Sequence, residues 1–211
     1  MKFKLLFSYR FLLFILSVLG VYLQLTKHGG FGMMLYYTIL SNMFVMFFMG
    51  DMVWRMLRGR STQTKGYLRM KGAVTMAIMI TFVIYHFMLA PLATPEKFYR
   101  LENFLCHYIV PLMFFFDTLV IDKAKQYRKF DPFLWTSIPL AYMLFALLNG
   151  LVLKWPIPGA KDSPFAYFFI NVTKYGWAFV GKWVVIIFIA YLLAGYVLYG
   201  IKNIKRKSAV S

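Results

Sequence analysis

Residues 33–54 read MMLYYTILSNMFVMFFMGDMVW, a run of 22 residues with one charge, Asp51, near its far end. At 1.5 Å per residue a helix of that length reaches about 30 Å, the thickness of the hydrocarbon core of a bilayer. The run therefore reads as a membrane-spanning helix. It is not uniformly apolar. Thr38, Ser41 and Asn42 stand at i, i+3 and i+4, which puts three small polar side chains on one helix face. Unpaired polar groups facing lipid are costly, so this face points into protein or a wet cavity.

On either side of this run lie five more of similar character, at about 7–26, 72–91, 104–122, 134–153 and 179–200. Together the six predict an all-α polytopic membrane protein, a bundle of six transmembrane helices, with 1–211 forming a single domain. Lys2, Lys4 and Arg10 before the first run resemble the start of a signal peptide. No small-x-small cleavage site follows, so the run is read as an uncleaved first helix.

Composition agrees. The chain is 61% hydrophobic and 20% aromatic, too apolar for an ordinary soluble domain. Its net charge of +17 would suggest nucleic acid in a soluble protein, but here the basic residues sit in short runs between apolar segments. The expected partners are membrane lipids rather than nucleic acid. One cysteine, Cys106, and three histidines argue against a disulfide framework or a metal centre, and no cofactor is expected.

Orientation follows from lysine and arginine. Seventeen fall on one side: Lys2, Lys4 and Arg10; Arg55, Arg58, Arg60, Lys65, Arg69 and Lys71; Lys123, Lys125, Arg128 and Lys129; and Lys202, Lys205, Arg206 and Lys207. Seven fall on the other: Lys27, Lys97, Arg100, Lys154, Lys161, Lys174 and Lys182. This bias predicts both termini in the cytoplasm. The last outer connection, about 154–178, is long. Its Trp155-Pro156-Ile157-Pro158-Gly159 cannot be regular helix. Its apolar 165–170 is too short to span and reads as an interfacial piece or a lid. Asn171-Val172-Thr173 matches a glycosylation sequon, a motif short enough to arise by chance.

Depth brings polar groups together. Thr38 lies roughly 7–8 Å inside the outer end of the second helix and His107 roughly 6 Å inside that of the fourth. His86, Asn149 and Lys182 fall at comparable depth on the third, fifth and sixth. A hydroxyl needs an adjacent base to become a nucleophile, and histidine is the usual one near neutral pH. Thr38 with His107 or His86 makes such a pair. Asn42, Ser41, Asn149 or a tyrosine are candidates to orient the base or donate to an oxyanion.

Plainer readings exist for each residue. A lone membrane threonine usually bonds its own backbone, and a histidine can simply bridge helices. Lys182 reads as snorkelling to the interface. Asn103 and His107, at i and i+4, read as partners of each other, as do Asp51 and Arg55. Asp117 reads as paired inside the bundle and Asp122 as solvated at the inner edge. Two other functions stay open on these residues: His86 and His107 as axial ligands of one b-type haem, and a non-catalytic lipid-binding or transport protein with the polar layer as a headgroup site.

The segment Tyr37-Thr38-x-x-Ser41-Asn42 on the second helix and His107-x-x-x-Pro111 opening the fourth, on six short helices, carry a resemblance. The chain resembles the family of the androgen-induced protein and the androgen-dependent TFPI-regulating protein, and more closely the bacterial six-helix relatives of that family. The animal members are intramembrane threonine hydrolases of fatty acid esters of hydroxy fatty acids. The resemblance implies an intramembrane lipid-ester hydrolase in a bacterial inner membrane, with Thr38 as nucleophile and His107 as its histidine partner.

Overall fold

The computed structural model describes residues 3–160 and 163–204. Lys2, Lys161, Lys205, Arg206 and Lys207 of the charge pattern lie outside the described residues. Six helices are long and apolar enough to cross a membrane: α1 Phe3–His28, α2 Tyr37–Leu57, α3 Lys65–Leu92, α4 Leu101–Ile121, α5 Asp131–Leu153 and α6 Val172–Asn203. No strand occurs among the described residues. The chain is thus an all-α, multi-pass architecture, as its apolar runs predict.

Helix α2 opens at Tyr37, later than the apolar run does. Gly30–Leu35 winds instead into a tight 3-10 turn behind Gly29. Gly29 has φ +131, and a Cβ there would stand 2.5 Å from Pro158 of the last connection. Conformation and space both require glycine at that position. Helix α6 begins at Val172, seven residues ahead of the predicted boundary near 179, and breaks at Gly176, where φ is +77. Its first residues are held by Asn171, whose side chain accepts from the Lys174 amide at 3.0 Å. Asn171 also bonds Thr173 and Ser163. It is buried, so the sequon residue serves as a helix cap.

Helices α1 to α4 enclose one core of Leu13, Val45, Met49, Met52, Ile78, Val110 and Phe114. Gly20 of α1 lets α4 approach closely, since a Cβ there would lie 3.1 Å from Cys106 Sγ. Helices α5 and α6 flank this bundle with most of their surface outward. They join it through a second core that takes Phe165, Tyr167, Phe169 and Ile170 from the last connection. Phe165 sits directly against the backbone of Gly150 on α5. We expect Gly150→Leu to lift Phe165 off its seat and cost about 1–3 kcal/mol, the usual range for overpacking. Thermal unfolding in detergent would show it.

At the end of the bundle where α1 begins and α6 finishes, charges are buried. Arg10 of α1 bonds Asp117 of α4 through Nε at 2.9 Å and Nη2 at 3.1 Å, and reaches Thr62 at 3.2 Å. Lys71 of α3 contacts Asp117 and lies 2.7 Å from Asp122 Oδ2. Lys202 of α6 donates to the carbonyls of Thr118 and Asp122 at 2.8 and 2.7 Å. Arg10, Lys71 and Asp117 have no exposed surface and Asp122 has 5%. Asp122 is therefore not solvated, contrary to its reading from the sequence, because three helices close over it. Arg10, Lys71 and Lys202 are internal residues and not only flanking charges. Asp117 does pair within the bundle, and Asp51 with Arg55 forms the expected i, i+4 bridge at 2.7 Å.

Candidate active site at the start of helix α2

Helix α4 is interrupted where His107 stands. Pro111 has no amide to give to the His107 carbonyl. The chain responds with an i→i+5 turn over Leu105–Ile109, in which the Val110 amide reaches back to Leu105. Such wide turns are frequent at functional sites, and others stand at Tyr85–Leu89, Asp117–Ile121 and Asn149–Leu153. Here the turn buries His107, which is 7% exposed, against α2.

His107 Nδ1 lies 3.0 Å from the Asn103 carbonyl. A carbonyl only accepts, so Nδ1 carries the proton in the neutral ring and Nε2 presents its lone pair. That lone pair faces Thr38 Oγ1 at 3.3 Å. The ring stacks on Tyr85 of α3, with centroids 3.8 Å apart and planes at 23°. Asn103 donates its side-chain amide to Tyr85 Oη at 2.6 Å and to the Phe98 carbonyl at 2.8 Å. The i, i+4 pair of Asn103 and His107 does form, through the Asn103 backbone and not its side chain.

Ser41 and Asn42 hold the backbone beneath Thr38. Asn42 Nδ2 donates to the Thr38 carbonyl at 2.8 Å and to the Cys106 carbonyl at 3.0 Å, tying α2 to α4 beside both members of the pair. Ser41 Oγ donates to the Thr38 carbonyl at 3.1 Å and lies 2.7 Å from Thr81 Oγ1 on α3. With its one proton committed to the carbonyl, Ser41 accepts from Thr81. Neither residue bonds Thr38 Oγ1. They hold the Thr38 backbone and do not touch its hydroxyl.

His86 and Asn149 are not brought to Thr38. His86 is exposed and its Nδ1 lies 3.3 Å from Tyr108 Oη. It shares the depth of Thr38 but points away from α2. Asn149 caps the end of α5, accepting from the Trp155 amide at 3.1 Å where Lys154 turns left-handed at φ 52. Lys182 is exposed, as a snorkelling residue would be. With both His107 ring nitrogens engaged and His86 turned outward, the pair is not arranged as two axial ligands of one haem.

The sequence did not single out Tyr167. It comes from the last connection, 129 positions beyond Thr38 in the chain, and its Oη lies 3.3 Å from the Thr38 amide and 3.4 Å from Thr38 Oγ1. Beside these groups lies a partly open, apolar cavity walled by α3, α5, α6 and the last connection. Thr38, Tyr85 and Tyr167 are among its lining residues, with apolar side chains such as Ile80, Ile84, Leu140, Met143, Ile187 and Phe188.

Comparison of the chain with family models, with curated proteins and with solved structures finds no match.

Proposed function

We propose that this protein is an intramembrane ester hydrolase in which Thr38 is the nucleophile and His107 the general base. The observation that carries the reading is the 3.3 Å contact between Oγ1 of Thr38, a residue lining an apolar cavity, and the unprotonated His107 Nε2. A lone threonine would bond its own helix backbone. This one instead meets a histidine whose other nitrogen is pinned to a carbonyl, the arrangement that activates hydroxyl nucleophiles.

The chemistry runs in two halves. Oγ1 attacks the ester carbonyl carbon as its proton passes to Nε2. The tetrahedral intermediate collapses, the C–O bond to the leaving alcohol breaks, and the imidazolium returns the proton to that alcohol. A water then gives its proton to Nε2 and attacks the Thr38 ester, and Thr38 leaves as the hydroxyl with that proton restored. The fatty chain of the substrate lies along the cavity between α3, α5 and α6. The membrane is a bacterial cytoplasmic membrane, and the basic-residue bias supports termini on the inside with the site near the outer surface.

The test is covalent labelling of detergent-purified protein with a long-chain fluorophosphonate, next to Thr38→Ala. Labelling of the parent and its loss in a folded Thr38→Ala protein is the expected result. A parent that the probe leaves unlabelled while the protein still binds fatty esters would move the assignment to a lipid-binding protein.

A further inference from the structure

We infer that the Tyr167 hydroxyl, acting with the Thr38 backbone amide, is the oxyanion-stabilising donor of this site, an inference that rests on the reading of Thr38 as nucleophile. The argument begins at the first turn of α2. Helix N-termini leave amides without partners, and Ser, Thr, Asp or Asn usually cap them. The capping position here is Tyr36, in extended conformation, and its side chain caps nothing. It bonds the Pro158 carbonyl instead, at 2.6 Å. The Thr38 amide is thus left to be met from outside the helix, and it is met by Tyr167 Oη at 3.3 Å.

One phenol therefore touches two atoms of the nucleophile residue. An amide only donates, so Oη accepts from Thr38 N. Thr38 Oγ1 sends its own proton to His107 Nε2, so the proton between Oη and Oγ1 belongs to Tyr167. Burial raises the pKa of Tyr167 above its ordinary value, so the group remains a donor through the neutral range. When Oγ1 bonds the carbonyl carbon, the carbonyl π electrons move to the carbonyl oxygen. That oxygen forms next to Oγ1, where the phenol O–H already lies, and the Thr38 amide N–H, bonded to Oη in the resting site, stands beside it. The phenol proton turns from Oγ1 to the new oxyanion by rotation about one C–O bond. The contacts of 3.3 and 3.4 Å are long for hydrogen bonds, as such contacts often are before substrate arrives.

The ring is held for this task. Tyr167 is 8% exposed. It stacks on Phe169 at 5.3 Å and meets Tyr36 edge-on at 5.9 Å. A rigid donor costs no reorganisation when charge develops, which is why such donors weigh heavily in acyl transfer.

The experiment uses the full chain in detergent, a p-nitrophenyl ester of a long-chain acid, and the matching long-chain trifluoromethyl ketone, whose adduct bears an oxyanion. Tyr167→Phe keeps the ring and removes the donor. We expect kcat to fall roughly 10²–10³-fold, the range for one lost oxyanion donor, with KM little changed. Affinity for the trifluoromethyl ketone should fall by a similar factor, while affinity for the plain ketone holds. A Tyr167→Phe protein with the parent's kcat and trifluoromethyl ketone affinity overturns the inference and leaves the nucleophile reading intact. Activity retained in Thr38→Ala would instead defeat that reading. If Tyr167→Phe fails to fold, 3-fluorotyrosine at position 167 replaces it. The stronger donor should tighten the trifluoromethyl ketone, and unchanged binding would count against the inference.

Discussion

Asp117→Ala is expected to lose about 3–5 kcal/mol of stability, the cost of breaking a buried ion pair from one side, and to leave little folded protein in detergent. Asp117 accepts two bonds from Arg10 and one from Lys71, and all three side chains are sealed from solvent. Without it two cations share Asp122 in a region that cannot hydrate them. The magnitude lies in the orphaned charges and not in the worth of the pair. An Arg10→Met, Asp117→Leu double change should therefore cost less than the sum of the two single changes, since it removes one cation together with its partner. Survival of a monodisperse gel-filtration peak after heating measures this. An Asp117→Ala protein as heat-resistant as its parent would show that the cluster is not holding the four helices together.

His107→Ala is expected to keep the fold and to lower acyl transfer roughly 10²–10⁴-fold, the span attributed to a positioned general base. The change removes the lone pair facing Thr38 Oγ1. It leaves the Asn42 clamp that fixes the Thr38 backbone, because that clamp runs to the Cys106 carbonyl and not to the ring. The vacated space lies against the face of Tyr85, where the imidazole now stacks. Added imidazole should therefore recover part of the lost rate. The readout is the rate of phosphonylation by the fluorophosphonate, with and without imidazole. A His107→Ala protein labelled at the parent's rate would remove His107 from the mechanism.

The six spans are legible because apolar length is a local property, readable in one window of sequence. Their ends are less so. The α2 boundary shifts because Gly29 and the turn after it are shaped by Pro158, which is remote in the chain. Thr38 is legible because it stands on the polar face of α2. Depth alone leaves His107 and His86 as equal partners for it, and only the resemblance favours His107. Tyr85, the neighbour of His86, faces the site, and one residue of helix turns a side chain by about 100°, so His86 points out. Asn149 lies at the right depth too, but the end of α5 consumes it as a cap. Tyr167 lies in irregular chain, where no periodicity states which way a side chain points. The buried cations read as flanking charges in the sequence because counting lysine and arginine by segment records the side of the membrane and ignores the partner.

The charge cluster also bears on how the protein is made. Arg10 and Asp117 are 107 positions apart. At about 5–20 residues per second of synthesis, roughly 5–20 s separate the emergence of the two. During that interval α1 is delivered to the membrane with an unneutralised guanidinium, which its long stem can hold near the headgroups. Only when α4 arrives can the arginine be drawn inward, and only when the last turn of α6 arrives does Lys202 close on the Asp122 carbonyl. The cluster thus closes only when α1, α3, α4 and α6 are all in place, so a nascent chain that still lacks α6 cannot complete it.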